Sequence, residues 1–458
     1  MNLEFLRPFI RYLPEVKLPR KHVSFKEKLM WSSLILVLFF IMGTIYPVGV
    51  SPKSLPLPYQ QFQMIMASQV GTIISAGIGP IVTASIILQL LVGSKMLEID
   101  LSTKEGKALF QGAQKILTVI IAFFESAAMV FGLRLGVLTH PMVEFTIFQI
   151  ALGSILLMYM DEIVSKWGIG SGISLFIAGG VSRRIISGSF NFLKGPGDQF
   201  LGIIPNFIDQ AISGNIDLVL IFPIIATIIV FLVVVYGESM RLEIPLSYGG
   251  IRGVGGRYPL KFFYVSNIPV ILAAALLMNI STWARLAGVN VENPGEMNLI
   301  QSVIYHLSYY LSLGKLYGVI SPGRIETLLD FDMMIHLIIY TLAFTALCVL
   351  FGKFWVETTG LGAEEVAKQI QRGGMQIPGF RRDKRVIERV LNRYIPQITI
   401  ISSVAVGLLA VGADLMGALG SGTGILLTVG ILYRLYEEIQ REQMSEMHPA
   451  FRRFMGRG

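Results

Sequence analysis

Glu125, in the run AFFESAAM, is the clear ionisable side chain set well inside an apolar stretch, so it is where chemistry would be sought first. An acid at membrane depth serves a proton relay, an ion-coupling site or a polar contact between helices. A relay needs a chain of Asp, Glu and His, and a voltage sensor needs an Arg ladder. Neither accompanies Glu125, so ion coupling is not expected. Thr83 and Asn279 are the polar residues able to share an interhelical seam, although each can equally bond within its own helix.

The other reactive residues form no catalytic pattern. His22, His140, His306, His336 and His448 give no His-Glu-x-x-His pair, and neither a Gly-x-Ser-x-Gly elbow nor a Gly-x-x-x-x-Gly-Lys-Ser/Thr loop occurs. Cys348 is the single cysteine and lies in an apolar run, which leaves no intramolecular disulfide and no thiol metal site. The stretch YGGIRGVGGRYPLK (248–261) is glycine-rich and basic but follows no strand, so it reads as a protruding hairpin rather than a nucleotide site. No enzyme activity, metal or cofactor is expected.

The elements that hold these residues follow from composition. With 458 residues, 53% hydrophobic, 15% charged and a mean hydropathy of +0.64, the chain has more apolar surface than one soluble core can bury. It reads as an all-α polytopic membrane protein. The N-terminal stretch has scattered charges and no short apolar region before a cleavage site, so the first apolar run is expected to be retained. A crossing needs about 20 apolar residues. Ten spans can be placed, near 30–47, 71–93, 108–132, 143–163, 171–187, 217–237, 260–282, 333–352, 396–413 and 421–438. With the N-terminus inside, 30 of the 38 Lys and Arg fall on the cytoplasmic side, so both termini are expected to be cytoplasmic.

Ten spans divide into two sets of five, and an odd number per set makes an internal repeat inverted. The second span of each half carries a proline, in GIGPIV (77–82) and VSNIPVI (265–271), and the fifth opens on glycine pairs, in GIGSGI (168–173) and GSGTGI (420–425). Such breaks point to a path at the repeat interface, although Gly and Pro are also simply frequent in membrane helices. Two residues past the prolines stand Val82 and Ile271, and one past the glycines stand Ile173 and Ile425. Bulky apolar residues of this kind make a dewetting constriction in a pore, or plain core in a packed bundle.

Between the first two spans lies PYQQFQMIMASQV, in which 59–69 would form a helix about 16 Å long. It carries four glutamines and no charge. It is too short to cross; it fits either a cavity at depth or the outer surface. The cytosolic loop after the sixth span and the one after the eighth, the latter with GGMQIPGFRRDKRVIERVLNRYIP (373–396), form two basic projections suited to anionic lipid or to RNA phosphates. On the outer side, residues 298–312 repeat Leu299, Ile300, Val303, Ile304, Leu307 and Leu311 at helical spacing, as an interfacial helix does.

The blocks YMDEIVSKWGIGSGISLFIAGGVS (159–182), ALFQGAQK, YPLKFFYVSNIPVILAAAL, FWVETTGL and RYIPQIT occur here in order and resemble the SecY family, the channel subunit of the Sec protein translocon, in its archaeal-type branch. The resemblance runs from about residue 14 to 449. It implies two inverted five-helix halves around a central hourglass pore, closed by a re-entrant plug helix and clamped by the single-span SecE, with a small beta-type single-span subunit. The plug maps onto Tyr59, Gln60, Gln61, Phe62, Gln63, Met64, Ile65, Met66, Ala67, Ser68 and Gln69, and the pore ring onto Ile78, Val82, Ile173, Ile177, Ile271 and Leu427. The lateral gate maps onto Thr83, Glu125 and Asn279. The ribosome-contacting loops carry Arg241, Arg252, Arg257, Arg381, Arg382, Lys384 and Arg385.

The expected divisions are a cytosolic segment 1–29, an N-terminal half 30–190, an external connection 191–216, a C-terminal half 217–438 with cytosolic loops 238–260 and 353–395, and a cytosolic tail 439–458. The function implied is the pore subunit of a protein-conducting channel in the cell membrane. It takes secretory chains across and releases transmembrane segments into lipid, with ribosome, signal sequences and nascent polypeptides as partners. A secondary transporter for a small solute also uses inverted repeats and broken helices, and is the alternative.

Overall fold

The computed structural model describes residues 8, 13–21, 23–50, 69–93, 96–97, 99, 103–132, 140–195, 199–214, 217–248, 255–265, 268–286, 299–321, 324–372, 375–376 and 384–447. The first half comprises α1 (Phe25–Met42), α2 (Gly79–Gly93), α3 (Lys104–Gly132), α4 (Met142–Trp167) and α5 (Gly172–Phe190). A short amphipathic α6 (Ile203–Ile212) follows, and then α7 (Phe222–Ser239). The chain next makes strands β1 (Arg241–Tyr248) and β2 (Gly255–Lys261) before α8 (Ile268–Leu286), α9 (Leu299–Tyr310) and α10 (Phe331–Thr358). It ends with α11 (Ala363–Arg372), β3 (Met375–Gln376), α12 (Lys384–Leu415) and α13 (Gly422–Met447). Ten of these helices take the ten expected spans; α6, α9 and α11 lie in connections.

Local chemistry starts and stops the helices. Ser24 and Glu27 form a capping box ahead of α1: the Ser24 hydroxyl accepts from the Glu27 amide (3.4 Å), and the Glu27 carboxylate from the Ser24 amide (3.1 Å). Apolar side chains of α1 and α7, among them Leu34, Val37, Ile228, Leu232 and Tyr236, are exposed on the outside of the bundle. Apolar surface running the length of whole helices suits lipid rather than water. Inside, Phe39 of α1 stacks on Phe176 of α5 with centroids 4.9 Å apart. Both belong to a continuous apolar core shared by the two halves.

The second span is not helical throughout. Residues 69–78 form successive turns, and the helix begins only at Gly79. Pro80 therefore sits in the first turn of α2, and Pro269 likewise in the first turn of α8. A proline there gives up an amide that has no helical partner anyway, so both residues start helices instead of interrupting them. The turn segment satisfies its own backbone. Thr72 N–H donates to Gln69 O (3.0 Å), Ser75 to Thr72 (3.0 Å), Gly77 to Ile74 (3.0 Å), and Ile73 crosses to Ile45 O of the preceding connection (2.9 Å). Gly153 of α4 faces this segment so closely that a Cβ would collide with the Ile73 carbonyl.

Ion pairs gather the ends of many elements on one face. Lys28 meets Glu442 (2.8 Å), Lys115 meets Glu162 (2.9 Å), and Lys261 meets Glu437 (2.7 Å). Lys166 bonds both Glu162 and Glu15 (2.8 Å each), and its ammonium holds the Glu15 carboxyl below the usual carboxylate range. The same face carries the expected hairpin, but 248–261 does follow a strand, contrary to the sequence reading, and a third strand joins it. β1 pairs antiparallel with β2, from Arg241 opposite Lys261 to Ser247 opposite Gly255, and β3 adds to the other edge of β1. The two basic loops are thus one sheet, not separate projections.

Replacing Gly153 with Ala should cost roughly 1–3 kcal/mol through overpacking against the Ile73 carbonyl. The purified protein should unfold at a lower temperature, whereas Gly412→Ala, with nothing within 4 Å of the new methyl, should leave that temperature unchanged.

Candidate functional site

A cavity of about 1010 Å³ opens between the halves, walled by α2, α5, α8 and α13. Charged chains from the ion-paired face, Lys28, Arg434, Glu438, Arg441 and Glu442, line one part of it. Apolar Val82, Ile173 and Ile271 line another, with Ser85 and Gln89 between turns of α2. These are three of the six residues expected to form a ring. The other three, Ile78, Ile177 and Leu427, have no accessible surface at all. All six lie in or against the shared core, so the cavity ends on a packed apolar cluster.

The starts of α5 and α13 explain how these residues are aimed. Each helix is preceded by the same tripeptide, Gly170-Ser171-Gly172 and Gly420-Ser421-Gly422, and each begins on its second glycine. Gly170 (φ +73°) and Gly420 (φ +85°) take left-handed backbone, which glycine adopts without strain. In this register Ile173 corresponds to Thr423 and Ile177 to Leu427. Pairing Ile173 with Ile425, as the glycine spacing had suggested, slips the match by two residues; Ile425 is instead buried in the core.

Two acidic residues that the sequence reading passed over hold these starts. Asp161 of α4 accepts from Ile173 N–H (2.9 Å) and Ser171 Oγ (3.1 Å). Asp414 at the end of α12 accepts from Gly422 N–H (2.6 Å) and Thr423 Oγ1 (2.9 Å). The repeated Gly-Ser-Gly was the signal that could have found them.

The structure brings Thr83, Glu125 and Asn279 together. Thr83 Oγ1 donates to Glu125 Oε1 (2.7 Å), and Asn279 Nδ2 donates to Thr83 Oγ1 (2.9 Å), so one hydroxyl ties α2 to both α3 and α8. All three side chains are buried. Phe124 and Trp283 meet edge to face at 6.5 Å along the same α3–α8 contact.

Of the expected plug, 59–68 lies outside the described residues. Gln69 is described: its carboxamide sits between the Gly43 carbonyl and the Arg183 guanidinium, bridging the C-terminal end of α1 and the second half of α5. Among the basic loop residues, Arg241 bonds Glu437 and Tyr433 of α13, both at 3.3 Å, and Arg385 is exposed near the start of α12. Arg257 and Lys384 are described in backbone only, within β2 and α12, while Arg252, Arg381 and Arg382 lie outside the described residues.

The SecY family model matches residues 72–436. The chain belongs to the SecY family. The protein translocase subunit SecY of Methanocaldococcus jannaschii is 49% identical over 453 residues, covering 99% of each chain. A solved structure described as a protein-conducting channel superposes with a TM-score of 0.84 at 47% identity, over 97% of this chain and 99% of that one. Sec61 in a canine ribosome–channel complex from the endoplasmic reticulum gives a TM-score of 0.81 at 47% identity, with the same coverage. The SecY fold of two inverted five-helix halves is therefore the fold of this multi-pass membrane chain.

Thr83→Val should strand a buried carboxyl and a buried carboxamide and destabilise the α2–α3–α8 contact by about 1–3 kcal/mol, read as a lower unfolding temperature. Glu125→Gln keeps an acceptor oxygen facing Thr83 and should lower that temperature far less.

Proposed function

We propose that this chain is the central pore-forming subunit of a Sec protein-conducting channel. It moves secretory polypeptides across the membrane and releases transmembrane segments sideways into lipid. The observation that carries this reading is the cavity between the halves, charged at one part and ending on packed apolar side chains. Ile78, Val82, Ile173, Ile177, Ile271 and Leu427 form the constriction. Apolar walls of that kind exclude ions by dewetting and carry no fixed charge to bind a passing chain.

The plug is 59–69, and its last residue, Gln69, contacts α1 and α5. The lateral gate is the α2–α8 seam, closed by the Thr83–Glu125–Asn279 relay. An apolar signal helix entering that seam replaces core contacts with its own and biases a two-state gate toward open. The excess of Lys and Arg supports a cytoplasmic position for both termini and the β1–β2–β3 sheet of a cell-membrane protein. There the basic sheet and the start of α12 dock a ribosome, a reading supported by the likeness to Sec61 solved in a canine ribosome–channel complex. SecE and a small beta-type subunit complete the assembly, and the exposed apolar flanks of α1 and α7 meet lipid or those subunits. The halves are 30–190 and 217–438, joined by the external connection 191–216.

The relatives are translocase channel subunits, which supports a role without catalysis. Driving energy then comes from chain synthesis or from trapping of the chain outside. The transporter reading rests only on the inverted repeat, which the channel reading explains equally well.

Planar-bilayer recording of the purified complex tests the proposal. Deleting 59–69 should convert a silent protein into one with frequent large openings. If both forms stay silent and the wild type takes up a small solute in liposomes, the transporter reading replaces this one.

A further inference from the structure

Asp161 and Asp414 stand at related points of the two halves, one late in the fourth helix and the other at the end of its counterpart. Asp414 is buried and Asp161 partly buried, and both bond forward into the first turn of the fifth helix. The amides of Gly172 and Ile173 face Asp161, and those of Gly422 and Thr423 face Asp414, each set joined by one hydroxyl, from Ser171 and Thr423. The glycines that open the helices leave no room for anything else. A Cβ on Gly172 would strike Asp161 Cα at 2.5 Å, and one on Gly422 would collide with Ala413 and the Asp414 amide. Ile173 is the residue after the first glycine and Ile177 one turn beyond it, while Leu427 lies one turn beyond Thr423.

We infer that Asp161 and Asp414 are a matched pair of positioning residues, each clamping the first turn of a pore-lining helix to the end of the helix before it. Because the halves are inverted, the clamps hold α5 and α13 at opposite ends of the bundle. Asp161 lies near the ion-paired face, where Lys166 of the same helix bonds Glu15. Asp414 lies near the other face, where its own carbonyl accepts from Gly318 N–H (3.0 Å). Together they fix how far the ring residues on α5 and α13 reach toward the pore axis, and so how tightly the closed channel seals. This rests on the pore reading of the preceding subsection. At Asp414 the donors use both oxygens, Gly422 N–H on Oδ1 and Thr423 Oγ1 on Oδ2, so Asn would turn its NH2 toward one of them; at Asp161 the Ile173 amide and the Ser171 hydroxyl both fall on Oδ1, which Asn would keep, so that clamp is broken only by removing the carboxyl.

The test is the open probability of the purified complex in planar bilayers without substrate. Asp161→Ala and Asp414→Asn should each raise it about tenfold, the population change expected when a two-state gate loses one buried hydrogen bond. Ser171→Ala and Thr423→Ala remove one donor each and should raise it less; they decide the matter if an aspartate variant fails to fold. Ile177→Ser serves as the leaking control. Folded clamp variants as silent as wild type beside a leaking Ile177→Ser would overturn the clamp and leave the pore reading standing. A silent Ile177→Ser would remove the pore reading, and the clamp with it.

Discussion

A backbone amide or carbonyl left without a partner inside a membrane costs several kcal/mol, and every unusual feature of this chain answers that constraint. Wherever a helix is broken at depth, another group stands ready. In 69–78 the turns bond one another, Ser75 Oγ accepts from Gly71 N–H (3.0 Å), and the bare face of Gly153 lets α4 close over the carbonyls. At the starts of α5 and α13 the donors are taken by aspartates of the preceding helices. The breaks are what create a junction between two rigid halves, and the junction is where the cavity lies.

The same economy shapes the seam between α2, α3 and α8. A single hydroxyl that both donates and accepts joins three helices that are otherwise packed through apolar contacts. Such a contact is strong enough to register the helices and weak enough to exchange for an incoming apolar segment, which is what a lateral gate requires. The apolar constriction and the polar seam are separate devices. In the proposed function, the first would meet a chain passing through and the second a helix leaving sideways.

Much of this was readable in the chain. Each of the ten apolar runs holds one of the described helices, five of them long and apolar enough to cross a membrane, and Thr83, Glu125 and Asn279 stood out as polar residues in apolar surroundings. That they meet was not readable: Thr83 is 42 residues from Glu125 and 196 from Asn279, and spacing along a helix says nothing of contacts between helices. Pro80 and Pro269 were seen as breaks, yet they open helices, because a proline marks a boundary without saying on which side the helix lies. The slip from Leu427 to Ile425 came from aligning the wrong glycines in a glycine-rich stretch. Asp161 and Asp414 escaped notice because an acid near a helix end reads as ordinary boundary polarity. β3 is two residues long, too short to carry a strand pattern.

The central claim is that polypeptide passes through the apolar junction of the halves, and site-specific photocrosslinking with a stalled secretory chain tests it most directly. Probes at Ile78, Ile173 and Ile271 should capture the chain, and probes at the lipid-facing positions Ile228 and Leu232 of α7 should not. Capture that is absent at the junction, or equal at both sets of positions, would contradict the account.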